Sequence, residues 1–239
     1  MMIAMAYKKS SEFNPSHQLR SEIAVAAARL IAEDGADYAS AKRKAAQQLL
    51  GNRRIDSDFI PNNSQIEEEV RSYNALFLAE TQPVRLLHLR KIAIEVMSEL
   101  SAFCPYLTGA VCNGTAGEHS DIHLQLFVDS PKDVEIYLLN KNVQFTVSDL
   151  ESDNQTEKRH RHHTGNDPAE ILHFAYKNEG IHLALYESNA LRGSIRPSRT
   201  HLSRSDRLDL VAARLLLEQQ IGITTEQVRA TLSKTNDTE

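Results

Sequence analysis

The spacing of apolar residues changes once along the chain, near Pro105, and this change constrains the fold more than any other feature of the sequence. Before Pro105 the apolar residues recur every three or four positions, as in amphipathic helices. After it they alternate with polar residues, as in strands with one buried face. The pattern predicts an α+β protein with two regions: a helical bundle over residues 1–104, then a mixed β-sheet with flanking helices over residues 105–239.

Glycines, prolines and capping residues divide both regions into elements. In the first region we expect four helices: residues 16–34, residues 38–50, residues 66–77 and a helix from Pro83 to about residue 102. In the second region we expect strands at 106–113, 121–129, 143–148, 169–176 and 180–187, with helices at 131–140, 205–220 and 225–233. The polar segment 149–168, which contains KRHRHH, is expected to be a mobile loop.

The overall charge limits the classes of partner. Lys and Arg total 27 against 32 Asp and Glu, a formal net charge of −5, so the whole surface is not suited to nucleic acid or anionic lipid. One local basic cluster is a candidate RNA or DNA contact, and a solvated helix face is the alternative. It consists of Lys42, Arg43, Lys44, Arg53 and Arg54.

The apolar runs and the cysteines bear on the compartment. No apolar run reaches the roughly 18 to 20 residues of a membrane span, and MMIAMAYKKS lacks the regions of a signal peptide. Cys104 and Cys112 form no CxxC pair, which favours a reducing compartment. We therefore expect a cytoplasmic protein without a membrane partner.

The segment GAVCNGTAGEHSDIHLQLFVD, residues 109–129, reads as strand, glycine-rich turn and strand. Alternation along its second strand places Asp121 and His123 on the face opposite the apolar residues. The later strand IHLALYE repeats the IHL tripeptide and places His182 in the position equivalent to that of His123. These side chains are expected to meet above one face of the sheet, whereas His88 and His173 are expected to pack or cap.

This segment resembles the nucleotidyltransferase superfamily. The family has a hydrophobic strand, a Gly-Ser or Gly-Gly turn, and then Ser-Asp-hydrophobic-Asp/Glu on the next strand. The matching residues here are Gly114, Thr115, Gly117, Ser120 and Asp121. The resemblance implies a nucleotide bound over the turn by Gly114, Thr115, Gly117 and Ser120, two divalent metals on the strand carboxylates, and transfer of a nucleotidyl group.

The chain departs from the family pattern at two acidic positions. His123 stands in place of the second carboxylate, and His182 stands where a third could lie. One Asp and two His suit a transition metal better than a pair of Mg²⁺ ions, which prefer oxygen ligands. We therefore expect Asp121, His123 and His182 to be the catalytic residues and the ligands of a divalent transition metal. Protonated imidazoles in direct contact with phosphate are the metal-free alternative.

These residues predict a nucleotidyltransferase-like protein that binds a nucleotide or another phosphorylated small molecule at the turn from Gly114 to Asp121. As an enzyme it would transfer a nucleotidyl group. The first alternative is a catalytically degenerate member of the family that acts as a nucleic-acid or protein interaction module through the basic cluster. The second alternative is a transition-metal-dependent hydrolase built on Asp121, His123 and His182.

Overall fold

The computed structural model describes residues 15–36, 38–51, 59–148, 168–190 and 207–222. The chain divides into two compact units, residues 1–77 and residues 78–239. The first is helical and the second contains a sheet with helices, so the protein belongs to the α+β class, as the sequence predicts. The expected helix 225–233 and the expected loop 149–168 lie outside the described residues, apart from Pro168.

Three helices share one small apolar core in the described part of the first unit. They are α1 (Pro15–Asp34), α2 (Tyr38–Leu50) and α3 (Asn63–Phe77). Gly35 has a φ of 65°, and this left-handed conformation ends α1 as expected. Asn62 caps α3, since its Oδ1 accepts from the Gln65 amide (2.8 Å) while Gln65 Oε1 accepts from the Asn62 amide (3.0 Å). The core is built largely from alanine, Ile23, Ile66 and Val70.

The second unit begins with helix α4 (Gln82–Glu99) and a 3-10 turn, Ser101–Phe103. The remaining elements follow in the order β1 (Tyr106–Thr108), α5 (Gly109–Asn113), β2 (Ile122–Val128), α6 (Pro131–Asn140), β3 (Thr146–Ser148), β4 (Glu170–Tyr176), β5 (Glu179–Glu187) and β6 (Arg207–Leu208). A helical segment, 210–222, ends the described chain.

The six strands form one mixed sheet in the order β3-β4-β5-β2-β1-β6. β2 and β5 are parallel neighbours, and the other adjacent pairs are antiparallel. The apolar residues of β2 and β5 share a buried core with α4, α5 and α6, and Leu89 of α4 is fully buried in it. The alternate residues, including the histidines, therefore point to the opposite face of the sheet.

Several expected boundaries differ from those observed. The strand expected at 106–113 stops at Thr108, because Gly109 adopts a φ of 69° and the chain continues as α5. The strand expected at 143–148 is shorter, and the helix expected from residue 205 is preceded by β6. The sequence places a border between residues 104 and 105, whereas the compact units divide between residues 77 and 78, because α4 packs into the core beneath the sheet.

Candidate functional site

Three histidines stand in one row on adjacent strands. In the parallel pairing of β2 and β5, His123 lies directly beside His182. In the antiparallel pairing of β4 and β5, His173 lies directly beside His182 on its other side. The rings of His123 and His182 have centroids 4.6 Å apart, and those of His173 and His182 are 4.3 Å apart. The expected meeting of His123 and His182 above one face of the sheet is thus observed.

Asp121 completes this cluster, which we call the imidazole row: Asp121, His123, His173 and His182. The carboxylate oxygen Oδ2 of Asp121 lies 2.8 Å from Nε2 of His182, so the two side chains share a hydrogen bond. Both remain accessible, with 46% of the Asp121 side chain and 28% of the His182 side chain exposed. The sequence predicts this meeting of Asp121, His123 and His182, and the structure brings the three together.

Gly180 makes room for the Asp121 carboxylate. A Cβ atom built on Gly180 would lie 2.7 Å from Cγ of Asp121 and would overlap its carboxylate oxygen Oδ1. A side chain at position 180 would therefore displace Asp121 from His182 or distort the first residues of β5. The close approach explains why a glycine precedes the IHL motif of β5.

The surroundings of His123 and His173 favour the neutral form of these two imidazoles. Loss of hydration lowers the pKa of His123, and the neighbouring His182 lowers it further, against the opposing effect of Asp121. The pKa of His173 is lowered by the same two causes in the same order. At neutral pH these two rings act as hydrogen-bond donors and acceptors, or as metal ligands, more readily than as cations.

His173 is a member of the row that the sequence analysis does not assign to the site. A hydrogen bond joins its Nε2 to Oγ of Ser148 on the neighbouring strand β3 (2.6 Å). Its position follows from the β-hairpin turn at Lys177 and Asn178, both of which have positive φ. A two-residue turn at 177 and 178 pairs residue 173 with residue 182, so the turn type could have identified it.

A partly buried ion pair lies next to the row, and the sequence analysis does not identify it. Glu179, only 8% exposed, receives two hydrogen bonds from the Arg85 guanidinium, at 2.5 and 2.6 Å. Nε2 of His88 on the same helix lies 3.1 Å from Glu179 Oε1, so His88 contacts this pair and not the imidazole row. The hydrogen bonds from Arg85 lower the pKa of Glu179, and Glu179 raises that of Arg85. Nothing in the sequence pattern marks this pairing of residues 94 positions apart.

The glycine-rich turn is stabilised by its own hydrogen bonds. The amides of Gly114, Thr115 and Ala116 all donate to the Ala110 carbonyl, at 3.0 to 3.1 Å, and that of Gly117 donates to Ser120 Oγ at 3.0 Å. Thr115 is 3% exposed, and its hydroxyl donates to Asn113 Oδ1. The amides of Gly114, Thr115 and Gly117, three of the four residues expected to bind the nucleotide, are therefore occupied, and the imidazole row offers the more available polar groups.

The donor types near Asp121 bear on the metals that the family resemblance implies. With one carboxylate and three imidazoles, the row lacks the oxygen ligands that two Mg²⁺ ions need, so a two-magnesium centre does not fit. A single transition metal fits the donor chemistry of Asp121, His123 and His182. As placed, however, Asp121 and His182 bond to each other, and within the described residues no three His, Cys, Asp or Glu side chains are arranged to hold a metal ion.

The basic cluster is described only in part. Lys42, Arg43 and Lys44 lie on α2, with Arg43 and Lys44 exposed, and Lys42 Nζ donates to Asn63 Oδ1 at 2.7 Å. Arg53 and Arg54 lie outside the described residues, as does the KRHRHH segment. The structure therefore places three of the five expected basic residues together on one helix.

Comparisons with protein-family models, with curated proteins and with solved structures find no match to this chain. Within the described ranges, no helix is both long and apolar enough to cross a membrane.

Proposed function

We propose that this protein binds a nucleotide or another phosphorylated small molecule at the imidazole row. One observation carries the proposal: Asp121 Oδ2 and His182 Nε2 are 2.8 Å apart, and the His123 ring lies against His182. Polar side chains from two parallel neighbouring strands thus converge at an accessible point beside the glycine-rich turn. The pKa of His123 is lowered, and convergent polar groups that include one with a shifted pKa are typical of ligand sites.

The order of the elements supports a nucleotidyltransferase-like origin for this site. β1 leads through α5 and the glycine-rich turn into β2, which begins directly after Asp121. A later strand, β5, lies parallel to β2 and presents His182 beside His123. These positions correspond to the three carboxylate positions that the family resemblance implies, two on one strand and one on a later strand.

The side chains in those positions favour binding over nucleotidyl transfer. The family's reaction needs carboxylates to hold metal ions that neutralise charge on the phosphates. Here only Asp121 is acidic, and the imidazoles of His123 and His173 have lowered pKa values. We infer a catalytically degenerate member in which the His123 imidazole N–H donates a hydrogen bond to a phosphate, while the Asp121–His182 hydrogen bond fixes the ring against which His123 lies.

Isothermal titration calorimetry with ATP and with inorganic phosphate tests this proposal in EDTA, in MgCl₂ and in ZnCl₂. His123→Gln should weaken ATP binding by about tenfold or more, since hydrogen bonds to charged groups contribute about 1.5–3 kcal/mol. His182→Gln should also weaken ATP binding, because it removes the ring against which His123 lies. His17→Gln, on the exposed surface of α1, is the matched control and should bind like the wild type. Failure of the wild type to bind ATP under all three conditions would refute the proposal.

A second candidate function rests on α2, where Arg43 and Lys44 are neighbouring exposed cations. We propose this surface as a nucleic-acid contact that acts through backbone phosphates. Binding of a single-stranded RNA oligonucleotide should then fall steeply with salt and weaken further in a Lys42→Ala/Arg43→Ala variant. Equal affinity of wild type and variant would reject this candidate and leave the imidazole row unaffected.

A further inference from the structure

Helix α4 reaches across to the backbone of the glycine-rich turn with two polar side chains. Gln82, its first residue, donates from Nε2 to the carbonyl oxygens of Gly114 (3.2 Å) and Ala116 (2.8 Å). Arg85, one turn later, donates from Nη2 to the Glu118 carbonyl (3.0 Å). Residues three apart face the same side of a helix, so both side chains act on one loop.

Arg85 also binds the chain segment that leads into β5. Its two terminal nitrogens contact the two carboxylate oxygens of Glu179, the first residue of β5, in a bidentate pair. One guanidinium therefore joins Glu118, three residues before Asp121, to Glu179, three residues before His182. These are the two segments that bring Asp121 and His182 to hydrogen-bond distance.

The segment that ends at Asp121 and the start of β5 approach each other closely. Gly180 passes so close to Asp121 that a single Cβ atom would overlap the carboxylate. A movement of the 117–121 segment away from the start of β5 would break the Asp121–His182 hydrogen bond, which is 2.8 Å long. A planar group with donors fixed toward both segments is well suited to set this separation.

We propose that Arg85 is a positioning residue that holds Asp121 and His182 in register, with Gln82 fixing the other end of the turn. The role in ligand binding rests on the proposed function, whereas the positioning itself concerns the free protein. Lysine at position 85 cannot replace the arginine, because an ammonium group cannot donate in one plane to both Glu179 oxygens and to the Glu118 carbonyl.

Amide hydrogen exchange by NMR tests the positioning in the ligand-free protein. In Arg85→Gln and Arg85→Lys, the amides of Gly114, Thr115, Ala116 and Gly117 should exchange about tenfold faster or more, because the turn loses its anchor. The imidazole ¹⁵N shifts of His182 should also change, reporting loss of the Asp121 hydrogen bond. Lys91→Gln removes the same charge from an exposed position of α4 and should change neither measurement.

Two further variants keep the test decisive if Arg85→Gln does not fold. Gln82→Leu removes the uncharged anchor alone and should accelerate exchange at the same amides. The double variant Arg85→Gln/Glu179→Gln removes both charges, so no unpaired carboxylate is left buried. It should still change the imidazole ¹⁵N shifts of His182. If the folded variants keep wild-type exchange and wild-type His182 shifts, the positioning role is overturned. If these change but the wild type does not bind ATP, the proposed function alone fails.

Discussion

Nε2 of His182 lies 2.8 Å from Oδ2 of Asp121, and this hydrogen bond joins the start of β5 to the residue that precedes β2. The two residues are 61 positions apart in the sequence. Their meeting depends on the parallel pairing of β2 with β5, on the room made by Gly180 and on the groups that fix the adjacent turn.

Gly180→Ala should break the Asp121–His182 pair. The added Cβ would lie 2.7 Å from Asp121 Cγ, and the neighbouring β5 backbone can move little within the sheet. Because the clashing atoms belong to the Asp121 side chain, which is 46% exposed and can rotate away, we expect a loss of up to about 1 kcal/mol in the free energy of unfolding, measured by urea denaturation. Gly222→Ala is the control, because a Cβ there meets no atom within 4 Å. If Gly180→Ala keeps the stability of the wild type and its His182 imidazole ¹⁵N shifts, the close approach of Gly180 to Asp121 is contradicted.

The imidazole row should make the protein less stable in mild acid. The pKa values of His123 and His173 are lowered from the ordinary 6.5, so below that pH the unfolded chain binds more protons than the folded one. The free energy of unfolding should therefore fall as the pH drops from about 6.5 toward the folded pKa values. His123→Gln should show a shallower fall between pH 7.5 and 5 in urea denaturation. A slope equal to that of the wild type would argue against a lowered pKa for His123.

Glu179 should add a second loss of stability at lower pH. Arg85 lowers the pKa of Glu179 from the ordinary 4.5, so the ion pair stabilises the fold above that pH. Its contribution is lost as the pH falls below 4.5 through the lowered folded value, because the carboxylate then becomes protonated. Thermal denaturation from pH 6 to 3 should show a smaller decrease in Tm for Glu179→Gln than for the wild type. If Tm falls equally with pH in the wild type and in Glu179→Gln, protonation of Glu179 does not destabilise the fold.

Metal preference should follow the donor types of the row. Metal binding at the row requires the Asp121–His182 hydrogen bond to open, since the side chains as placed hold no metal ion. Once it opens, Co²⁺ should bind the wild type about tenfold more tightly than Mg²⁺ or better, because imidazole nitrogen favours transition metals. Visible absorption of bound Co²⁺ gives the affinity, and competition with MgCl₂ gives the ratio. Asp121→Asn should weaken the Co²⁺ spectrum and Cys104→Ser should not. Displacement of Co²⁺ by equimolar Mg²⁺, or magnesium-dependent nucleotide incorporation, would contradict this expectation.

Much of the fold can be predicted because the local periodicity of apolar residues indicates the helices and strands. α6 begins at Pro131 and ends at Asn140 as expected, and β2, β4 and β5 lie within a residue or two of the predicted strands. The strand expected at 106–113 is wrong beyond Thr108, because the apolar residues there also suit a short buried helix, and the positive φ of Gly109 selects that helix. The packing of α4 beneath the sheet depends on contacts distant in sequence, which periodicity does not record.

In the candidate site too, local sequence patterns predict some residues, and others meet only through tertiary contacts. Asp121, His123 and His182 can be placed on one face from strand alternation and the repeated IHL wording. His173 requires the register of the β4–β5 hairpin, which a two-residue turn fixes. Arg85 and Glu179 meet only through tertiary packing, and the hydrogen bonds that occupy the amides of the turn depend on α5, a helix in place of the expected strand.

The most direct test of the central claim is an NMR titration of the histidine imidazoles with ATP at neutral pH. Binding at the imidazole row should shift the ¹⁵N and ¹³C resonances of His123, His173 and His182 in a saturable manner, with one dissociation constant shared by the three. His17 should not shift with them. Saturable binding that leaves the row unchanged, or no change at any histidine up to millimolar ATP, would contradict the account.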